Sequence, residues 1–126
     1  MEAKKSILIV DDEKMLLEVL NKMLENNYNV GLAHSASEAI HYLNNNNNRR
    51  VDCILLDITM PNITGFDFLH DIRKIPSYHK VPIIIISGNT GQEFFDQARK
   101  SSAFDVLTKP VKKELLIGTI EKALVK

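Results

Sequence analysis

The alternation of short apolar runs with segments of helical period constrains the fold of this chain more than any other feature. Five apolar runs are predicted to be β-strands: Ile7–Val10, Val30–Ala33, Cys53–Leu56, Val81–Ile86 and Phe104–Leu107. Three of them are apolar at consecutive positions, which is typical of parallel strands that are covered on both faces.

The segments between these runs have the spacing of helices. The first is predicted to bury a stripe made of Met15, Leu16, Val19, Leu20, Met23 and Leu24. The second begins at a capping box from Ser35 to Glu38. The third and fourth are predicted at about 66–74 and 92–101, and the last follows Pro110 and turns Leu116, Ile120, Ala123 and Leu124 inward.

This order of elements predicts a single α/β domain with a doubly wound parallel sheet. A barrel would need about eight strand–helix repeats, and a chain of 126 residues is too short for two domains. Right-handed crossovers then place helices on both faces of the sheet.

The composition excludes several function classes. Sixteen basic residues balance sixteen acidic ones, so there is no overall positive field to attract nucleic acid. No apolar run approaches the ~20 residues of a membrane span. The chain starts without a signal-peptide pattern, and the single Cys53 cannot form an intrachain disulfide. We expect a cytoplasmic protein.

Polar residues that could carry chemistry follow four of the predicted strands. Asp11, Asp12 and Glu13 follow the first, Asp57 the third, Ser87 the fourth, and Lys109 comes after the fifth. Open α/β sheets bind ligands outside the carboxyl ends of their strands, where the strand order reverses. In the order 2-1-3-4-5 that point lies between the first and third strands, so the carboxylates would share one crevice.

Each of these residues has an ordinary structural explanation when it is taken alone. Asp12 or Glu13 could cap a helix, Asp57 could end a strand, and Ser87 could belong to a turn. Together they indicate phosphoryl transfer. Clustered carboxylates repel one another unless a hard cation such as Mg²⁺ holds them, and a lysine and a hydroxyl suit phosphoryl oxygens.

Four segments resemble the signature segments of the response-regulator receiver family. They are Ile7-Leu-Ile-Val-Asp11-Asp12-Glu13, Leu56-Asp57-Ile-Thr-Met-Pro61 with Gly65 downstream, Ile86-Ser87-Gly88 and Leu107-Thr-Lys109-Pro110. The resemblance covers about residues 5–125 and implies one receiver domain over residues 1–126. It also implies a flavodoxin-like fold with five parallel strands in the order 2-1-3-4-5.

The resemblance implies a role for each residue of the site. Asp57 would accept a phosphoryl group from a phosphohistidine of a histidine kinase or phosphotransfer protein. Asp12, Asp57 and the backbone carbonyl of Thr59 would hold Mg²⁺ or Mn²⁺, with Asp11 acting directly or through water. Ser87 and Lys109 would grip the phosphoryl oxygens, and a cis peptide between Lys109 and Pro110 would aim the lysine.

The resemblance further implies a switch rather than an enzyme. Its downstream protein target would dock on the face formed by the fourth helix, fifth strand and fifth helix, and the protein would be a monomer or a weak dimer that depends on phosphorylation.

Val106 departs from the family pattern, because the family usually has an aromatic ring or histidine there. Phe104, two residues earlier, is a doubtful substitute, so weaker coupling to the output is expected. Thr64 and Ser102 stand where the family often has Asp and Gly.

Other functions remain as alternatives. A metal-dependent phosphatase with an aspartyl-phosphate intermediate typically has Asp-x-Asp after its first strand, whereas Asp11 and Asp12 are adjacent. A flavodoxin-like electron carrier needs a phosphate-binding loop where this chain has three acids. A receiver that has lost its chemistry would not keep Asp57 and Lys109. The chain is either a free-standing receiver or part of a longer regulator or hybrid kinase.

One feature is not explained by this function. The run Asn44–Asn48 and the pair Arg49-Arg50 are predicted to form an exposed loop before the third strand. A binding role for the two arginines is the alternative.

Overall fold

The computed structural model describes residues 4–45, 50–58, 65–88 and 91–125. Its strands are β1 (Ser6–Val10), β2 (Asn29–Ala33), β3 (Cys53–Asp57), β4 (Ile83–Ser87) and β5 (Asp105–Thr108). Its helices are α1 (Lys14–Leu24), α2 (Ala36–Asn44), α3 (Gly65–Arg73), α4 (Gln92–Lys100) and α5 (Lys113–Leu124), with a 3₁₀ turn at Pro76–Tyr78. Thr59, Pro61, Thr64 and loop residues 46–49 lie outside the described residues.

The five strands form one parallel sheet in the order β2-β1-β3-β4-β5, which confirms the predicted topology. The register pairs Asp57 with Ile86 and Ser87 with Thr108. Because the strands run in the same direction, their carboxyl ends meet at one edge of the sheet, and this edge carries the polar residues that the sequence analysis singled out.

Two hydrophobic cores lie on the two faces of the sheet. On one face α1 and α5 pack through residues such as Leu20 and Ile120. On the other face α2, α3 and α4 pack through residues such as Leu43, Phe68 and Phe94. The central strands are buried on both sides, which explains their uninterrupted apolar runs.

The predicted apolar stripe of α1 is partly wrong. The fully buried residues are Leu17, Leu20 and Leu24, and the prediction had omitted Leu17. Met15 is 76% exposed and Val19 49% exposed. Apolar residues occupy roughly 200° of the helix circumference at ~100° per residue, so several rotations of the helix fit the pattern equally well. Packing against β1 and β2 selects the rotation that buries Leu17.

The strand boundaries also differ from the prediction. β4 begins at Ile83 rather than Val81, because Pro82 lacks an N–H and contributes only its carbonyl, which accepts from the Ile54 N–H at 3.0 Å. β5 begins at Asp105 rather than Phe104, although the Phe104 N–H still donates to the Ile83 carbonyl. Asp57 and Ser87 are the last residues of their strands instead of following them.

The start of α2 confirms half of the predicted capping box. The Ser35 hydroxyl accepts from the Glu38 N–H at 3.1 Å, while the Glu38 carboxylate lies 3.3 Å from the His34 ring nitrogen Nδ1.

Within the described part of the chain, no helix is both long enough and apolar enough to cross a membrane. The Cys53 thiol is buried, and burial raises its pKa to about 12, so it is an inert core residue.

Candidate functional site

The structure brings the predicted site residues together at the carboxyl edge of the sheet. Asp11 and Asp12 follow β1, Asp57 ends β3, Ser87 ends β4, and Lys109 follows β5 directly. Asp11, Asp57 and Ser87 are 0%, 4% and 0% exposed, while Asp12 faces solvent. The site is therefore a buried floor with one exposed carboxylate at its rim.

The three aspartates form a group that fits a hard cation. One carboxylate oxygen from each of Asp11, Asp12 and Asp57 lies within 4.8 Å of the others. The Asp11 Oδ1 accepts from the Glu13 N–H at 2.9 Å, whereas its Oδ2 is buried and no hydrogen-bond partner reaches it among the described residues. A buried carboxylate oxygen without a donor is costly, and a divalent ion would satisfy it.

The start of α1 rules out one ordinary explanation for Glu13, that its side chain caps the helix. The helix α1 begins at Lys14 after Glu13, and the Glu13 side chain makes no capping hydrogen bond. Asp11 instead closes a local turn by accepting from the backbone two residues ahead. This turn holds the Asp11 carboxylate in the crevice beside Asp57.

The electrostatics of the crevice favour a bound cation. Burial, together with the neighbouring Asp57, raises the pKa of Asp11 to about 7. The opposing influences are the Glu13 N–H and the charge of Lys109, which lower that pKa. Two carboxylates in one buried crevice cannot both remain ionised without cost, and Lys109 alone offsets only part of their charge.

Lys109 is held against Asp57 by the ends of two strands. Its Nζ lies 3.2 Å from the Asp57 Oδ2, and its backbone N–H donates to the Ser87 carbonyl at 2.9 Å. The peptide between Lys109 and Pro110 is cis, as the resemblance implied. A Cβ at Gly88 would meet the Lys109 side chain at an ordinary 3.9 Å, so the chain beside the lysine is not tightly packed at this point.

The α4 and β5 side of the domain, next to the site, contains both buried and exposed apolar residues. Phe94 on α4 is buried, with its ring centroid 5.8 Å from that of Phe66 and 5.7 Å from that of Phe95. Val106 on β5 is half-buried against the same core, and Phe104 is 46% exposed. Phe94 thus anchors α4, while Phe104 leaves apolar surface exposed to solvent.

Sequence reasoning missed Arg73, an important residue near the other end of α3. Its guanidinium donates to the carbonyls of Val81 at 2.5 Å and Ser102 at 3.0 Å, and to the Ser102 hydroxyl at 2.9 Å. Burial lowers the pKa of Arg73. An arginine at the end of a helix usually indicates only a solvated charge, so no local signal pointed to these contacts.

The parallel sheet in the order 2-1-3-4-5, with aspartates and a lysine at its carboxyl edge, defines the class of phosphorylatable α/β switches. The comparison with protein families is specific: residues 7–121 match the response regulator receiver domain. The chain belongs to this family and is a receiver domain, a switch of the kind that interacts with histidine kinases and downstream effectors. This assignment does not favour the phosphatase alternative.

Individual relatives agree with the family. The chain is 36% identical over 124 residues to the 3′,5′-cyclic-nucleotide phosphodiesterase regA of Dictyostelium discoideum, covering 97% of this chain and 16% of that protein. It is 34% identical over 119 residues to the response regulator protein TodT of Pseudomonas putida, covering 94% and 50%. The chain therefore spans half or less of these relatives.

Solved structures show the same architecture. The chemotaxis protein CheY4 of Vibrio cholerae superposes with a TM-score of 0.87 at 28% identity, covering 97% of this chain and all of that chain. A receiver domain protein from Clostridium thermocellum superposes with a TM-score of 0.84 at 31% identity, covering 95% and 94%.

Proposed function

We propose that the domain accepts a phosphoryl group on Asp57 from a histidine kinase or phosphotransfer protein. The observation that carries this proposal is the buried Asp57 carboxylate, which lies 3.2 Å from the Lys109 ammonium and within 4.8 Å of oxygens of Asp11 and Asp12. An acceptor carboxylate, a cation-binding group and a lysine are the parts that phosphoryl transfer requires.

In the proposed transfer, a carboxylate oxygen of Asp57 attacks the phosphorus of the partner's phosphohistidine. An O–P bond forms at Asp57 while the N–P bond breaks, and the imidazole nitrogen keeps the bonding electron pair. Lys109 exchanges its contact with Asp57 for one with a phosphoryl oxygen, and Ser87 donates its hydroxyl to another. Both groups stabilise charge that moves onto the phosphoryl oxygens.

A divalent ion would be held by Asp11, Asp12, Asp57 and the backbone carbonyl of Thr59. Mg²⁺ or Mn²⁺, when bound, neutralises charge on the carboxylates and on the incoming phosphoryl group. The orphaned Oδ2 of Asp11 supports a cation at this position. We assign no enzymatic turnover to the domain beyond its own phosphorylation and dephosphorylation.

The output surface is proposed to be the face formed by α4, β5 and α5. Phe104 and Leu115 are 46% and 57% exposed there, which offers apolar contact to a downstream protein. We propose a monomer, or a weak dimer that forms on phosphorylation. We assign phosphoryl transfer by this domain to the cytoplasm, which agrees with the single, unpaired Cys53.

Labelling with a small phosphodonor tests the acceptor. Incubation with acetyl phosphate and Mg²⁺ should add one phosphoryl group, detected by intact-protein mass spectrometry. Asp57→Asn should abolish the addition, because an amide oxygen is a poor nucleophile, and a chelator should also prevent it. Asp71→Asn is the matched control, since Asp71 is an exposed acid on α3, and it should be labelled normally. Full labelling of Asp57→Asn would refute the assignment.

A further inference from the structure

A groove of about 690 Å³ lies at the edge of the sheet opposite the aspartates. It is formed by residues that precede β1, β3 and β4 and by the last turn of α5. Binding sites in proteins commonly enclose volumes of this order. Nothing in the proposed phosphoryl chemistry uses this edge, because the strands separate the two ends by ~16 Å.

The charged residues that line the groove are mainly basic. Among the described lining residues, Lys5, Arg50 and Lys80 are basic and Asp52 is the one acid. The Asp52 Oδ2 is already occupied, since it accepts from the Ser6 N–H at 2.8 Å. The chain as a whole has no net charge, so this local positive excess is a property of the fold rather than of the composition.

Arg50 is held in place before any ligand arrives. Its Nη2 donates to the Ser77 carbonyl at 2.9 Å, and its guanidinium lies over the Tyr78 ring, 5.4 Å from the centroid. These contacts restrict the side chain and use few of its N–H donors. The loss of conformational entropy on binding an anion is therefore smaller than for a freely moving arginine.

His79 is oriented in the same way. Its Nδ1 lies 3.3 Å from the Arg73 carbonyl, which can only accept, so this nitrogen carries the proton when the ring is neutral. The groove thus combines two positioned side chains, Arg50 and His79, with two lysines at its rim.

The floor of the groove is apolar. Val51 and Val81 are 2% and 7% exposed, and Pro76, Pro82, Ala123 and Leu124 add further apolar surface. Among the described lining residues there is no phenylalanine, tyrosine or tryptophan side chain on which a nucleobase could stack, and the one ring present, that of His79, is tied to the Arg73 carbonyl through its Nδ1. The nearby Tyr78 ring is 5% exposed and is covered by Arg50. This chemistry favours a peptide that carries both acidic and apolar side chains over a nucleotide.

We propose that this groove binds an acidic peptide segment of a partner protein. Carboxylates of the peptide pair with Arg50, Lys80 and Lys5, and an apolar side chain between them packs against Val81 and Leu124. The site gives the domain a second interaction surface that is separate from Asp57.

Fluorescence anisotropy tests this proposal on the whole chain. The probe is a short fluorescein-labelled peptide in which glutamates and leucines alternate, and the reference peptide has glutamine in place of glutamate. We expect the acidic peptide to bind at least about tenfold more tightly, a difference of ~1.4 kcal/mol at 25 °C. The combined variant Arg50→Gln, Lys80→Glu should lose that difference, while phosphoryl labelling at Asp57 stays normal.

A charge reversal elsewhere provides the matched control. Lys113→Glu changes one exposed lysine at the start of α5, the end of the helix that is far from Ala123 and Leu124. It should bind the acidic peptide as the unmutated protein does. NMR shifts on binding should cluster at Lys5, Val81 and Leu124.

Three outcomes would overturn the proposal. The first is equal affinity for the acidic and glutamine peptides. The second is unchanged binding in the Arg50→Gln, Lys80→Glu variant, with its fold verified by circular dichroism. The third is a set of NMR shifts confined to the carboxyl edge of the sheet. If ATP binds the groove and the peptide does not, the site is a nucleotide site and the peptide assignment is wrong.

Discussion

Arg73 shows how much one side chain can organise around itself. It leaves the end of α3 and bonds to the segment before β4 and to the segment before β5. Part of this arrangement depends on Ser102, which stands where the family often has glycine and whose hydroxyl accepts from the Arg73 Nε. Hydrogen bonds from a charged donor are worth more than neutral ones, and a planar guanidinium can reach several acceptors at once.

Replacing Arg73 with lysine should therefore destabilise the fold. A lysine keeps the charge but cannot reach the carbonyls of Val81 and Ser102 together, so we expect a loss of ~1.5–3 kcal/mol in the free energy of unfolding, measured by urea titration. Arg99→Lys is the control, because Arg99 forms an exposed pair with Asp96 on α4 and should change stability by less than ~0.5 kcal/mol. Equal urea midpoints for the two variants would contradict this role.

Among the elements, β5 and α4 lie between the proposed phosphorylation site and the proposed output face. Ser87 ends β4, and its carbonyl accepts from the Lys109 N–H, so the ends of β4 and β5 are joined directly. Val106, in the middle of β5, is compact and stiff at χ1 and packs half-buried against the core. It has no large ring to exchange between an exposed and a buried position.

We therefore expect a graded response to a phosphate mimic. Beryllofluoride should shift the amide NMR signals of Ser87, Gly88 and α4 strongly and those of residues 104–125 weakly, because a ligand shifts an equilibrium only by its differential contacts. Val106→Tyr should enlarge the distal shifts, and Val106→Ile, which remains branched, should not. Large shifts throughout residues 104–125 of the unmutated protein would show that the ring is dispensable.

For the whole molecule, we expect the buried acids to couple the free energy of unfolding to pH and to a bound metal. In the metal-free protein the pKa of Asp11 is raised from 3.8 to about 7, first by burial and then by Asp57. In this range the folded chain keeps a proton that the unfolded chain has released. Stability should therefore fall as the pH rises from about 4 to about 7. A divalent ion favours the ionised carboxylate and should reverse the loss.

Urea unfolding at about pH 5 and about pH 8, with and without Mg²⁺, measures this coupling. Asp11→Asn should remove the part of the pH dependence that belongs to this group and should be stabilised less by Mg²⁺ at the higher pH. Asp71→Asn, at an exposed position, should behave as the unmutated protein does. Parallel pH profiles for Asp11→Asn and the unmutated chain would refute the buried proton.

Much of the fold and of the candidate site could be predicted without coordinates. The apolar runs of β1, β3 and β4 follow from local sequence, because a strand buried on both faces needs consecutive apolar residues. The grouping of Asp11, Asp12, Asp57, Ser87 and Lys109 follows from topology, because parallel strands bring their carboxyl ends to one edge. The order β2-β1-β3-β4-β5 came from the family resemblance, and the structure confirms it.

Only the tertiary structure decided the rest. The rotation of α1 that buries Leu17 and exposes Met15 depends on packing, since the apolar arc of that helix is wider than its contact surface. The contacts of Arg73 and the basic groove at Arg50 and Lys80 join segments that are distant in sequence. The burial of the Asp11 Oδ2 without a hydrogen-bond donor among the described residues likewise depends on the tertiary structure. Local patterns report which residues can be buried, whereas long-range contacts determine which atoms meet and which charges remain unpaired.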